Sequence, residues 1–165
     1  MKKLRVVALI SGYPQEELEK IFKEKGLPVG TVTLIPSVTL TDVEEKELVH
    51  KVKSVAQNTK AFGIRVHSVF IETKNIVRVS LAQERWFPLR RELSTRVINT
   101  SLTLRKSDFV INLPVPDKLE DVVTIRNLMT LQRLMSCEFL RVQEFDEEKK
   151  VWVNNTAAPI SLLKS

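Results

Sequence analysis

Leu34-Ile35-Pro36-Ser37-Val38-Thr39-Leu40 is the stretch on which the reading of this chain turns. An apolar, strand-like run passes through a short polar turn into Asp42-x-x-Glu45 and then an apolar-periodic helix. A second, more eroded copy follows. A gapless shift lays Leu34 on Phe109, Ile35 on Val110, Ser37 on Asn112, Val38 on Leu113, Leu40 on Val115, Asp42 on Asp117 and Glu45 on Glu120. Asp42 with Glu45, and Asp117 with Glu120, read as reciprocal caps at two helix starts. Neither strand-turn-helix unit can cover its own sheet alone, so the pattern predicts two packed lobes with a groove between the equivalent turns. Ligand chemistry belongs in that groove.

The duplicated turn carries a family resemblance. Pro36-Ser37-Val38-Thr39-Leu40 resembles the Pro-His-x-Thr-Leu motif of the two-histidine phosphoesterases, the 2'-5' RNA ligase-like superfamily, with serine at the histidine place and the threonine kept. Phe109-Val-Ile-Asn112-Leu-Pro114-Val resembles the second motif, with asparagine for histidine and proline for threonine. The resemblance implies an α+β fold of two duplicated lobes in a single domain over residues 1–165, with antiparallel sheets lining a central groove and helices outside. It implies a reaction that cleaves or forms phosphodiester linkages, in which two histidines serve as base and acid and two hydroxyl residues hold the phosphate.

Histidine suits that reaction because its ordinary pKa of about 6.5 lets it accept and release a proton near neutrality. Ser37 and Asn112 cannot do so. Each general acid or base contributes about 10² to 10⁴ in rate, so loss of both removes most of the acceleration. Ser37, Thr39 and Asn112 retain the capacity to hydrogen-bond phosphate oxygens, which needs no change of charge. Pro114 offers neither hydroxyl nor backbone N–H, so the second half-site is expected to be the weaker.

Composition bounds these expectations. At 165 residues and 43% hydrophobic content the chain suffices for one domain or two intimately packed lobes. The first apolar run, Val6 to Ile10, is too short for a signal sequence or a membrane span, so a soluble cytoplasmic protein is expected. Cys137 is the only cysteine, which excludes an intramolecular disulfide and a cysteine-rich metal site, and its apolar setting reads as a buried strand thiol. There is no Gly-rich phosphate loop, and the two histidines are not at metal-ligand spacing. Neither metal nor cofactor is expected. The net charge of +6 favours a polyanionic partner, and the family resemblance implies that this partner is RNA or a small phosphorylated nucleotide. Arg85, Arg90, Arg91, Arg96, Arg105 and Lys106 crowd one middle segment with little acid to offset them.

Hydrophobic periodicity predicts strands over 4–11 and 31–35, helices over 14–25 and 43–57, a hairpin of 61–72 with 75–82, and a helix over 88–99. It further predicts a strand over 107–113, a helix over 118–135, a hairpin of 138–145 with 151–156, and an edge strand within 158–163. His50 falls on a solvent face. Arg65 and His67 share a strand face; His67 is either a lone groove acid or base, or a structural histidine. Arg78 either joins Arg65 in a phosphate cradle or lies on a solvated face. Trp86 and Phe87 read as a stacking platform for a base or as a staple into the core, and Tyr13 is equally ambiguous.

Three functions are compatible with these residues. One is a phosphoesterase-like binding module without acid and base, contacting phosphate through Ser37, Thr39 and Asn112 with Arg65 and Arg78 as counter-charges. The second is an active 2',3'-cyclic or 2'-5' phosphodiesterase using non-standard residues such as His67. The third is a structural or protein-interaction module.

Overall fold

Strand β1 (Lys2–Ser11) buries Leu4, Val6, Val7, Ala8 and Ile10, a nearly continuous apolar run suited to a strand flanked on both edges. The computed structural model describes residues 1–28, 30–97, 109–130, 135–155 and 159–164. Helix α1 (Gln15–Phe22) buries Leu18 and stops at Lys23, whose φ of 54° is left-handed. That residue ends the helix short of the expected Lys25. Strand β2 (Thr31–Leu40) leads to helix α2 (Asp42–Gln57), which buries Leu48, Val52 and Val55 as its periodicity predicts.

The α2 cap lies one residue from the expected pair. Thr41 Oγ1 accepts from the Glu44 backbone N–H at 3.3 Å and donates to Glu44 Oε1 at 3.1 Å, so the N-cap is Thr41, tied to Glu44. Glu45 is therefore free to tie distant segments together. Its carboxylate meets Lys2 Nζ at 3.1 Å and accepts from Asn155 Nδ2 at 3.0 Å.

The expected hairpin of 61–82 divides between two sheets. Its first piece, β3 (Phe62–Ile64), joins the larger sheet, where Phe62 packs edge-on against Trp86 at 5.0 Å. β4 (Val66–Thr73) and β5 (Ile76–Leu81) form the hairpin proper. Helix α3 (Trp86–Val97), strand β6 (Val110–Leu113), helix α4 (Asp121–Thr130), strand β7 (Met135–Asp146) and strands β8 (Val151–Asn154) and β9 (Ile160–Ser161) follow. The helix expected over 118–135 is thus shorter than its apolar pattern, because Met135 already opens β7 and pairs with Ile64. Arg105, Lys106 and residues 98–108 and 131–134, over which parts of these expectations ran, lie outside the described residues.

The two sheets are antiparallel, as expected. The larger runs β2-β1-β7, and the far edge of β7 pairs in succession with β3, β9 and β8. The smaller runs β4-β5-β6. Val77, Val79, Ile111 and Leu113 form the buried face of the smaller sheet, and α4 packs against β4 with Ile125 and Met129 inward. Among the described residues no helix is long and apolar enough to cross a membrane.

Strand β2 is an edge strand, and its pairing with β1 slips twice. Leu4 pairs with Val38, Val6 with Ile35 and Val7 with Thr33, so β2 carries extra residues around Pro36-Ser37 and at Leu34. Proline lacks the N–H that a ladder needs and is accommodated at edges and bulges. The heptapeptide expected to form a polar turn is instead bulged strand.

Candidate functional site

Strand alternation presents Thr31 and Thr33 on one face of β2, and Val110 and Asn112 on one face of β6, while Val32, Leu34, Ile111 and Leu113 point into the core. These two pairs meet across a cavity of about 490 Å³ where the larger and smaller sheets approach. Asn75 and Tyr13 complete its polar lining. The Tyr13 ring packs where a side chain on Gly30 would stand, 2.5 Å from a Cβ built there. Burial pushes its phenol up to about 12, so it remains a neutral hydroxyl at physiological pH.

This geometry separates the expected phosphate ligands. Asn112 lies in the groove. Ser37 and Thr39 are exposed and do not line it. Thr39 pairs with Lys3 and Thr31 with Leu9, which places Thr39 about 20 Å farther along the sheet. Arg78 is the direct cross-strand neighbour of Asn112, but its guanidinium is ion-paired with Glu72 at 2.6 Å. Arg65 stands elsewhere, 73% exposed and bound to Glu84 at 2.9 Å. It lines a separate cavity of about 530 Å³ with His67. Neither His67 nor His50 lines the inter-sheet cavity, and both are exposed.

The arginine-rich segment is likewise divided by the fold. Arg85 and Arg91 are exposed, whereas Arg90 is buried and stacks on Phe109 at 5.5 Å. Trp86 is 1% exposed, stacked on Phe109 at 6.0 Å, and belongs to the core as a staple rather than to a base platform. Phe87 meets Phe109 edge-on at 5.1 Å. The Arg96 side chain lies outside the described residues.

A second cavity, about 780 Å³, continues from the first through Pro28 and Thr31 along the larger sheet. Arg5, Arg141, Gln143 and Trp152 line it, and none of them stood out in the sequence. Their signal was strand alternation: Arg5 pairs with Gln143, and Arg141 with Val7, so the two arginines emerge on one face. No cluster of three or more metal-ligating side chains occurs among the described residues.

No family model matches this sequence, and no curated protein matches it. Solved structures do. Escherichia coli LigT complexed with 3'-AMP superposes with a TM-score of 0.61 at 12% identity, covering 98% of each chain. TT0787 of Thermus thermophilus gives a TM-score of 0.57 at 13% identity over 97% of each chain. Usb1 of Kluyveromyces marxianus gives 0.55 at 10% identity over 98% of each. The chain has the two-lobed fold of the two-histidine phosphoesterases and 2'-5' RNA ligase-like proteins along nearly its whole length.

A second frame of the same sequence pattern lies on the strands that line the groove. Thr31-Val32-Thr33-Leu34 fits the His-x-Thr-Leu pattern with threonine at the histidine place, and Val110-Ile111-Asn112-Leu113 fits it with valine there and asparagine at the threonine place. The shared alternation and final leucine of these two tetrapeptides were the available signal. The gapless shift that paired Ser37 with Asn112 passed over it.

Proposed function

We propose that this protein is a phosphoesterase-like binding module that accepts RNA ends, cyclic nucleotides or a related phosphorylated ligand in the inter-sheet groove without turning it over. The observation that carries this reading is the convergence of Thr31, Thr33 and Asn112 on one cavity that neither histidine of the chain lines. Hydroxyl and amide groups there can donate to phosphate oxygens, while Val110 can neither accept nor release a proton. Phosphodiester cleavage needs both transfers, so binding outlives catalysis. Solved LigT structures contain 3'-AMP, phosphate and NADP+, which supports a phosphorylated ligand for a groove of the same fold.

A panel of 2',3'-cyclic nucleotides, 3'-mononucleotides and short oligoribonucleotides tests this by thermal shift and by product analysis. Stabilisation without product, weakened in Thr33→Val and Asn112→Leu, is the expected result. Hydrolysis abolished by His67→Ala would replace the reading with the active-enzyme alternative. Thr31→His with Val110→His restores the proton-transfer types at the groove positions and is expected to introduce slow hydrolysis.

A further inference from the structure

We propose that Arg5 and Arg141 form a second anion site on the larger sheet, built to hold a phosphate group of a ligand that carries more than one. The inference rests on the groove reading above and extends it to the ligand class.

The two side chains are diagonal neighbours on adjacent antiparallel strands, a relationship that sets their Cα atoms about 7–8 Å apart. Guanidinium groups at that spacing can converge on one tetrahedral oxyanion, each presenting a planar fork of donors. The described residues lining this cavity include no aspartate or glutamate. Elsewhere in the fold two arginines are neutralised by carboxylates: Arg65 has Glu84 and Arg78 has Glu72. Two like charges side by side without a carboxylate are an arrangement that an anion completes.

The site is also pre-arranged. Arg5 Nε donates to Gln143 Oε1 at 2.9 Å, and Gln143 Nε2 donates onward to Asn154 Oδ1 at 3.3 Å, a relay across β1, β7 and β8. The Arg5 guanidinium stacks on Trp152 at 4.4 Å, and Trp152 is braced by Phe145 at 5.2 Å. Holding the side chain in place beforehand lowers the ordering cost of binding. Arg141 supplies the complementary signal: its Nε is buried and has no hydrogen-bond partner. A buried donor without an acceptor is destabilising and is rarely left so without a reason. A bound oxyanion would supply the missing acceptor.

Position links this site to the groove. Val7 lies between Thr33 and Arg141 in one cross-strand row, so Thr33 and Arg141 stand two strands, or about 10 Å, apart on the same face. Thr31 borders both cavities. A ligand with one phosphate at Thr33 and Asn112 would run toward Arg141 with its next. Both a nucleoside polyphosphate and a short RNA strand supply that chemistry.

Trp152 provides the readout, because the only other tryptophan, Trp86, is enclosed in the core. The full chain would be titrated with pyrophosphate, ADP, a phosphorylated tetraribonucleotide and, as a control anion, acetate, following tryptophan fluorescence at low salt. The proposal expects a saturable response to the phosphates and none to acetate, with affinity falling about tenfold or more in Arg141→Met and in Arg5→Met. Arg141→Lys, which keeps the charge, is expected to recover part of it. ADP against the tetranucleotide decides which source binds more tightly. Unchanged affinity in Arg141→Met, with its melting temperature intact, would overturn the site even if Thr33→Val and Asn112→Leu still weaken the tetranucleotide; the groove reading would then stand alone. Tetranucleotide binding lost in Arg141→Met but indifferent to both Thr33→Val and Asn112→Leu would leave this site and remove the groove reading. No response to any phosphate would remove both.

Discussion

Arg78 stands directly across the strand pair from Asn112, yet its guanidinium turns to Glu72, 2.6 Å away. Both partners are only partly exposed, and Arg78 Nε is buried without a partner. The positive charge paired across the strands with the groove asparagine is thus neutralised within its own hairpin.

Glu72→Gln is expected to release that charge. Phosphate-ligand affinity should rise about fivefold, a gain of about 1 kcal/mol that shrinks as salt is added. Isothermal titration at two ionic strengths measures it. Equal affinity in the variant and the parent would show that Arg78 does not reach the ligand.

Trp86→Ala is expected to cost about 3–5 kcal/mol in urea-induced unfolding, since it empties a core position packed against Phe62 and Phe109. Trp86→Phe should leave ligand affinity unchanged. A selective loss of RNA binding in Trp86→Phe at full stability would restore the platform interpretation.

Glu45 links the stability of the fold to acid pH. Burial acts to raise its pKa, but hydrogen bonds from Asn155 and Lys2, together with the Lys2 charge, hold it below the ordinary value of 4.5. A depressed folded-state pKa contributes stability that is present above about 4.5 and is lost as pH falls through the folded value. The stability difference between the parent and Glu45→Gln, followed by urea midpoints from neutral pH downward, should narrow across that window. A difference independent of pH would assign the role of Glu45 to packing.

Cys137 is fully buried, and burial pushes its thiol up to about 12. Because the folded pKa is raised above 9.0, its contribution is intact below about 9 and is lost as pH climbs toward 12. At pH 8 a thiol-specific disulfide reagent should label the native protein only as fast as it opens, many orders of magnitude more slowly than unfolded chain. Rapid labelling in native buffer would contradict the burial.

Much of the fold was legible. The inward set of α2 and the strand periods of β1, β5 and β7 follow from apolar spacing that cannot be satisfied with another face inward. The two-lobed arrangement was legible through the repeated strand-to-helix pattern and the family resemblance. Pro36-Ser37 reads as a turn because proline and serine are turn residues. In the fold the ladder continues past them, since an edge strand tolerates a missing N–H and a bulge absorbs the extra residue. Strand β2 thus runs on through these residues, and Ser37 and Thr39 lie away from the groove.

The sequence by itself determined the chemistry available to this protein: only two histidines, one apolar thiol, and hydroxyl and amide side chains at the polar positions of apolar strands. Tertiary structure alone decided which of these meet. Long-range strand register set Thr31 and Thr33 against Val110 and Asn112, locked Arg78 to Glu72, and raised Arg5 and Arg141 on one face from strands far apart in the chain. Each strand's alternation is local, but its pairing partner and register are fixed only when the sheets pack into one core.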